Sequence, residues 1–285
     1  MRAAGRGRRA RGYAYLAITD HSPLLAMAHG LDARRLGRQI DAIGRLNAGF
    51  SGFTLLGSIE VDIREDGSLD PPDEVLRRPD LVVAAVHSRF NLPRAQQTQR
   101  ILRAMDNRLV NIVAHPTGRL INQRPADDVD VEQIMRGAAA RGCHLELNVQ
   151  PDRLDVADTH CRMAKAMGVK VAISSDAHAT GQLDLIRFGI DQARRGWLEP
   201  GDVLNRREPG APRRDGRRGW AARLGGGSGA GVARRRCGGG RWQRVSFRPG
   251  NLWPGVCRPA AAPHRIGGSG AGARTSRRPR RTRVR

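Results

Sequence analysis

The chain has 285 residues, a formal net charge of +23, 39% hydrophobic residues and only 4% aromatic ones. No apolar run approaches the roughly 18 residues a membrane span needs, and there is no apolar leader, so a soluble, cytoplasmic protein is expected. The four cysteines lack CxxC spacing, which excludes a disulfide framework and zinc-ribbon modules.

The charge is unevenly spread, and this sets the domain limits. Residues 1–12 are Arg/Gly-rich without periodicity and are expected to be disordered. Residues 13–205 are nearly balanced in charge and long enough to bury a core. Residues 206–285 hold 22 of the 50 Lys+Arg residues, all of them arginine. That tail reads as low-complexity and disordered, and a reading-frame change near Asn205 is expected from its composition.

In chain order, residues 13–19 read as a strand broken by Asp20-His21-Ser22-Pro23. Residues 31–47 read as an amphipathic helix, with Leu31, Ile40, Ile43 and Leu46 near one face. A strand at 53–63 carries Glu60 and Asp62, Asp66-Gly67-Ser68 turns the chain, and 72–77 is a short helix. A solid apolar strand at 81–86 ends at His87, and 93–107 is a helix with proline in its first turn. A strand at 110–114 ends at His115. A helix at 129–141 closes at Gly142 and leads into a strand at 143–149 that ends near Asn148. A helix at 156–167 closes at Gly168, and a strand at 170–175 delivers Asp176 and His178. The last helix is expected at 183–195, closed by Gly196. Six strands alternating with helices predict a parallel sheet covered on its outside, and histidines converging from several strand ends favour a distorted, incomplete (β/α) barrel over an open sheet.

Each strand delivers polar residues at its C-terminal end, where α/β sheets and barrels place their sites. Asp20 and His21, Glu60, His87, His115, then Asp176 and His178 form a convergent set. Strand alternation would put Asp176 and His178 on one side. Imidazole and carboxylate ligands suit Zn²⁺, Mn²⁺ or Fe²⁺. Glu60, lying between histidines, could bridge two ions. Such a pair clamps the attacking and leaving oxygens of a phosphoester without a protein nucleophile. Arg89, Arg119 and Arg153 are candidate phosphate-binding residues, Arg89 and Arg119 being alternatively partners of surface acids. Asp20 and Asn148 could orient ligands, and Asp62 is a candidate turn or supporting group.

At these residues the chain resembles the PHP (polymerase and histidinol phosphatase) superfamily. The motifs are I-T-D-H-S-P at 18–23, S-I-E-V-D-I at 58–63, V-A-A-V-H-S-R-F at 83–90, A-H-P-T-G-R-L at 114–120, L-E-L-N-V at 145–149 and I-S-S-D-A-H at 173–178. Their wording is similar to the C-terminal PHP domain of bacterial family X DNA polymerases over about residues 13–205. The resemblance implies a (β/α)7 TIM-like barrel with up to three Mn²⁺ or Zn²⁺ ions, acting as a 3′–5′ exonuclease or DNA 3′-end-processing hydrolase in DNA repair. It implies that Glu60 bridges, that His87 and His115 share one ion with it, that Asp176 serves a second, and that His21 and His178 serve a third. Glu60, His87, His115 and Asp176 are then the catalytic set.

Family members open with a strand carrying H-x-H, which has no counterpart here. The expectation is therefore a barrel lacking its first β/α unit, without the polymerase module, one complete ligand set and impaired activity. Its substrates would be DNA 3′ ends or small phosphoesters. The other readings are a stand-alone phosphatase like histidinol phosphatase, an inactive remnant, and a nonspecific nucleic-acid binder acting through the arginine-rich tail.

Overall fold

In the computed structural model, residues 12–25 and 29–206 are described. The expectations of disorder for the leader and the tail fall, apart from Gly12 and Arg206, outside these residues. A six-stranded parallel sheet forms the centre, with each strand beside its predecessor in the chain. The strands are β1 (Tyr15–His21), β2 (Thr54–Asp62), β3 (Leu81–Ala85), β4 (Ile112–Val113), β5 (His144–Asn148) and β6 (Val171–Ser174). The intervening helices are α1 (Ala33–Asn47), α2 (Asp73–Leu76), α3 (Arg94–Asp106), α4 (Val131–Arg141), α5 (Asp158–Ala166) and α6 (Ile186–Arg195). This is the alternating parallel architecture that the apolar strand runs implied.

Local chemistry explains the helix limits. Asp32 opens α1 by accepting from the Arg35 backbone N–H at 2.7 Å, and Asp130 opens α4 by accepting from that of Gln133 at 3.0 Å. Gly142 ends α4 with φ of 64°, a left-handed conformation that costs glycine little. The apolar stripe of α1 buries Leu36 and Ile43, each contributing about 1.5–3 kcal/mol by leaving water. Ile43 packs with Phe53 and Leu55, joined by Leu16 and Ile18 of β1.

One strand face forms a second cluster. Leu81, Val83 and Ala85 alternate along β3 and meet Ile112, Ala114 and Ala172, with Ala17 and Leu204 against them. The two ends of the sheet are linked through Asn205. Its carbonyl accepts from the Tyr15 hydroxyl at 2.8 Å, and its side-chain amide pairs with both backbone groups of Ile173.

Three element expectations need correction. β1 runs on through Asp20 and His21, because their backbone continues to pair with Ile59 and Glu60 of β2. The last helix is split into a 3-10 turn (Thr180–Leu185) and α6. β6 stops at Ser174, and Asp176 has φ of 44°, so strand alternation does not govern the relation of Asp176 to His178. Among the described residues, no helix is long and apolar enough to cross a membrane.

Candidate metal centre

The parallel register gathers the strand ends. His21 pairs with Glu60 across β1 and β2, and Asp62 pairs with Ala85 at the last step of β2 and β3. His87 and His115 follow two residues beyond their strands, and Asp176 two beyond β6. His115 and Asp176 both have positive φ, 28° and 44°. Non-glycine residues rarely adopt that region, and where they do the surroundings must enforce it. For Asp176 the enforcing group is Gln150, whose amide donates to the carbonyls of Ser175 at 2.6 Å and Asp176 at 2.9 Å.

Glu60 is the hub. Its Oε1 stands 3.2 Å from Nε2 of His87 and 3.2 Å from Nε2 of His115. His21, Glu60 and His87 each present a ligand atom within 4.8 Å of one another. The imidazole of His87 packs edge-on against His21 at 5.2 Å and His115 at 5.3 Å between ring centroids. His21 thus stands with Glu60 and His87, the group the family pattern had associated with His115. His178 lies at the rim instead, its side chain 72% exposed, with Nδ1 donating to the Asp176 carbonyl at 3.0 Å.

The electrostatics follow from this crowding. Burial alone would push the His87 imidazole down, yet hydrogen bonds to Asp62 and Glu60 push it up to about 9. Its Nδ1 donates to Asp62 Oδ1 at 2.8 Å while Nε2 faces Glu60, and only the imidazolium donates from both nitrogens. His115 is likewise raised, by Glu60 against its burial. Burial would raise Glu60, but the two imidazoles hold its carboxyl well below the usual range.

The donor set fits a divalent ion. Ligand atoms held at about 2.0–2.1 Å by one ion lie roughly 2.8–3.0 Å apart in octahedral and roughly 3.3–3.4 Å apart in tetrahedral geometry, and the two nitrogen-to-oxygen distances of 3.2 Å at Glu60 fall within that span. Nδ1 of His21 is buried without a hydrogen-bond partner, as is Nδ1 of His115. A cluster in which protons alone mediate between carboxylate and imidazoles is one that a cation can enter by displacing them.

The three arginines have different surroundings. Arg89 is exposed, with φ of 54°, and pairs with Glu65 at 3.7 Å. Arg119 donates to the carbonyls of Arg153, at 2.8 Å, and Leu154. Arg153 has a buried Nη1 without a partner, and its charge acts on His115.

Several groups that sequence reasoning missed support the candidate ligands. Glu146 accepts from the His115 backbone N–H at 3.0 Å, and its burial pushes its carboxyl up to about 7. Asp155 is fully buried, accepts from the Thr117 backbone N–H at 3.0 Å, and burial raises its pKa too. The alternation in L-E-L-N-V already put Glu146 and Asn148 on one face, a signal that could have found Glu146. Asn148 donates to Asp176 Oδ2 at 3.0 Å, the orienting position expected of it. Gln39, buried on α1, donates to Asp20.

No family model matches the chain. By sequence it is 44% identical over 197 residues to the DNA polymerase/3′-5′ exonuclease PolX of Bacillus subtilis. That alignment takes in 69% of this chain but only 35% of the length of that polymerase. A probable phosphatase of Thermoanaerobacter is 29% identical over 192 residues, covering 62% of this chain and 71% of that protein. Among solved structures, a histidinol phosphate phosphatase from Lactococcus lactis, crystallised with zinc, L-histidinol and phosphate, superposes with a TM-score of 0.51 at 15% identity. It covers 70% of this chain and 88% of its own. This likeness shows the fold: the parallel six-stranded sheet is a curled half-barrel of the TIM-like kind.

Proposed function

Taking as premise that the chain is a relative of the PHP-superfamily metal-dependent phosphoesterases, we propose that it hydrolyses phosphoesters at the Glu60 centre, with DNA 3′ ends as substrate. The observation that carries this reading is a single carboxylate oxygen, Glu60 Oε1, placed 3.2 Å from two imidazole nitrogens of different strand ends. His21, Glu60, His87 and His115 would hold a divalent ion, zinc or manganese, while Asp176 and His178 would serve further ions toward the rim. When bound, the ion polarises a phosphoryl oxygen and lowers the pKa of a water to near neutrality.

The remaining chemistry belongs to the chain. Asp62 accepts from His87 Nδ1 and so turns Nε2 toward the centre, as carboxylate–histidine pairs do at metal sites. Glu60 carries the negative charge that offsets the cation. Asp176, held by Asn148 and Gln150, keeps an acceptor beyond the end of β6. Arg153 has a donor in reserve beside His115 and would bind a phosphate oxygen there, exchanging an orphaned N–H for a charge-assisted hydrogen bond. Arg89 at the mouth would contact more distant phosphates of a polyanion. Arg119 would act on phosphate only by leaving the two carbonyls it now serves.

The choice of DNA draws on the similarity to the polymerase that carries a 3′–5′ exonuclease in its name. The phosphatase relatives support a second reading, a small phosphomonoester as substrate. Hydrolysis of a 3′-recessed DNA and of histidinol phosphate, each with added Mn²⁺ or Zn²⁺, separates the two. The first reading expects DNA to be degraded from its 3′ end and this to vanish in His115→Ala. Turnover of the monoester alone would transfer the assignment to the second.

A further inference from the structure

Resting on that reading of a metal-held site, we propose that Arg100 is a positioning residue, fixing the separation of Glu60 and His87 by pinning the two chain segments that leave them. The need arises from the sheet. Pairing of β2 with β3 ends at Asp62 and Ala85, with the Ile63 N–H donating to the Ala85 carbonyl at 2.8 Å. His87 lies two residues past that last bond, so the ladder does not fix it.

Arg100 supplies the restraint. It lies on α3, the residue only 1% exposed. Its Nε donates to the carbonyls of Ile63 at 3.1 Å and Arg64 at 2.9 Å, and Nη2 reaches Ile63 as well. Nη1 donates to the Ser88 carbonyl at 2.8 Å and to Gln97 Oε1 at 3.2 Å. Ile63 directly follows Asp62, the partner of His87, and Ser88 directly follows His87 itself. One rigid, planar group therefore ties together the exits of the two strands that carry the hub and its first imidazole.

Packing alone does not explain a guanidinium here. A buried cation bonded to carbonyls loses its hydration, and burial lowers the pKa of Arg100 despite the nearby Glu65 and Asp62 charges. A leucine would fill such a space without that loss. What leucine lacks, and lysine also lacks, is a fork of fixed donors able to hold several carbonyls at set angles. Gln97 extends the device, its amide reaching the Arg89 carbonyl at 3.4 Å and Asp127 at 3.4 Å.

The test uses the full chain as wild type, Arg100→Lys and Ile101→Val, the last a buried apolar residue on the same helix. Zn²⁺ affinity is read by chelator competition, and ligand geometry by the visible spectrum of bound Co²⁺. Arg100→Lys is expected to weaken Zn²⁺ by about 10–100-fold, the usual effect of removing support behind metal ligands, and to alter the Co²⁺ spectrum. Ile101→Val, which lowers stability through packing alone, is expected to change neither. Amide exchange should rise in Arg100→Lys around residues 63–67 and 88–92. Should Arg100→Lys fail to fold, Gln97→Leu removes one support of the fork and is expected to show the same changes at smaller size.

Wild-type affinity and spectrum in a folded Arg100→Lys, or in Gln97→Leu when that variant stands in, would overturn the positioning role and leave the metal centre intact. Losses that track melting temperature in every variant would reduce Arg100 to a structural residue and overturn it equally. A wild-type chain that binds neither Co²⁺ nor Zn²⁺ would overturn the metal centre and the proposal together.

Discussion

Replacing Asp62 by asparagine probes the coupling between protons and metal at the centre. In the metal-free protein His87 is pushed up to about 9 by Asp62 and Glu60. An ion entering at pH 7 must then displace a proton held two pH units above ambient, costing about 2.7 kcal/mol or roughly 100-fold in apparent affinity. Apparent affinity should therefore rise about tenfold per pH unit from 7 and level off near 9. Asp62→Asn removes one of the two carboxylates that raise His87, so the levelling point should move to lower pH. The same change weakens the orientation and basicity of the imidazole, lowering affinity at pH 9 by about 10–100-fold. At pH 7 the two effects oppose, and the net loss should be smaller than at pH 9. Chelator competition with Zn²⁺ between pH 6.5 and 9.5 measures both curves. A flat wild-type profile, or superimposable profiles for the two proteins, would refute the coupling.

The other predictions use the same physical terms. Glu146 has its pKa raised to about 7 from an ordinary 4.5 by burial, so its contribution to stability is intact below pH 4.5 and lost as pH rises through 7. Glu146→Gln should therefore stabilise metal-free protein at pH 8 by about 3 kcal/mol, seen as a higher melting point, and change little near pH 4.5. Gly189→Ala would bring a Cβ within 2.2 Å of Val149 and 2.6 Å of Ile173 beneath α6. Those branched side chains cannot swing away, and chemical denaturation should show a loss of about 1–3 kcal/mol. On the proposed role of its orphaned Nη1 as a phosphate donor, Arg153→Met should raise KM for a phosphoester substrate and leave Zn²⁺ affinity unchanged; unchanged steady-state constants would contradict that role.

Much of the fold was legible because parallel strands buried on both faces read as solid apolar runs. The runs at 81–86 and 143–149 became β3 and β5 to within two residues. The convergence of His21, Glu60, His87 and His115 was legible too, since consecutive parallel strands put their C-terminal ends on one edge. What sequence could not show is set by long-range geometry. His21 joins Glu60 and His87 because β1 continues to His21 in register with Glu60, and no local signal distinguishes a strand that stops at Thr19 from one that does not. His178 was placed by extrapolating strand alternation beyond Ser174, where the left-handed Asp176 interrupts it. Nothing in the sequence singles out Arg100 from the other polar residues of α3. Only the tertiary structure reveals that its partners are carbonyls 12 to 37 positions away in the chain.

The central claim is that Glu60 organises an ion on which hydrolysis depends. The most direct measurement strips the protein with chelator, restores Mn²⁺ or Zn²⁺ in steps, and follows hydrolysis of an activated phosphodiester by wild type and Glu60→Gln. Turnover should be absent in the stripped protein, rise with bound ion in the wild type, and stay at background in Glu60→Gln although the variant remains folded. Hydrolysis that persists without an ion, or that Glu60→Gln retains, would contradict the account.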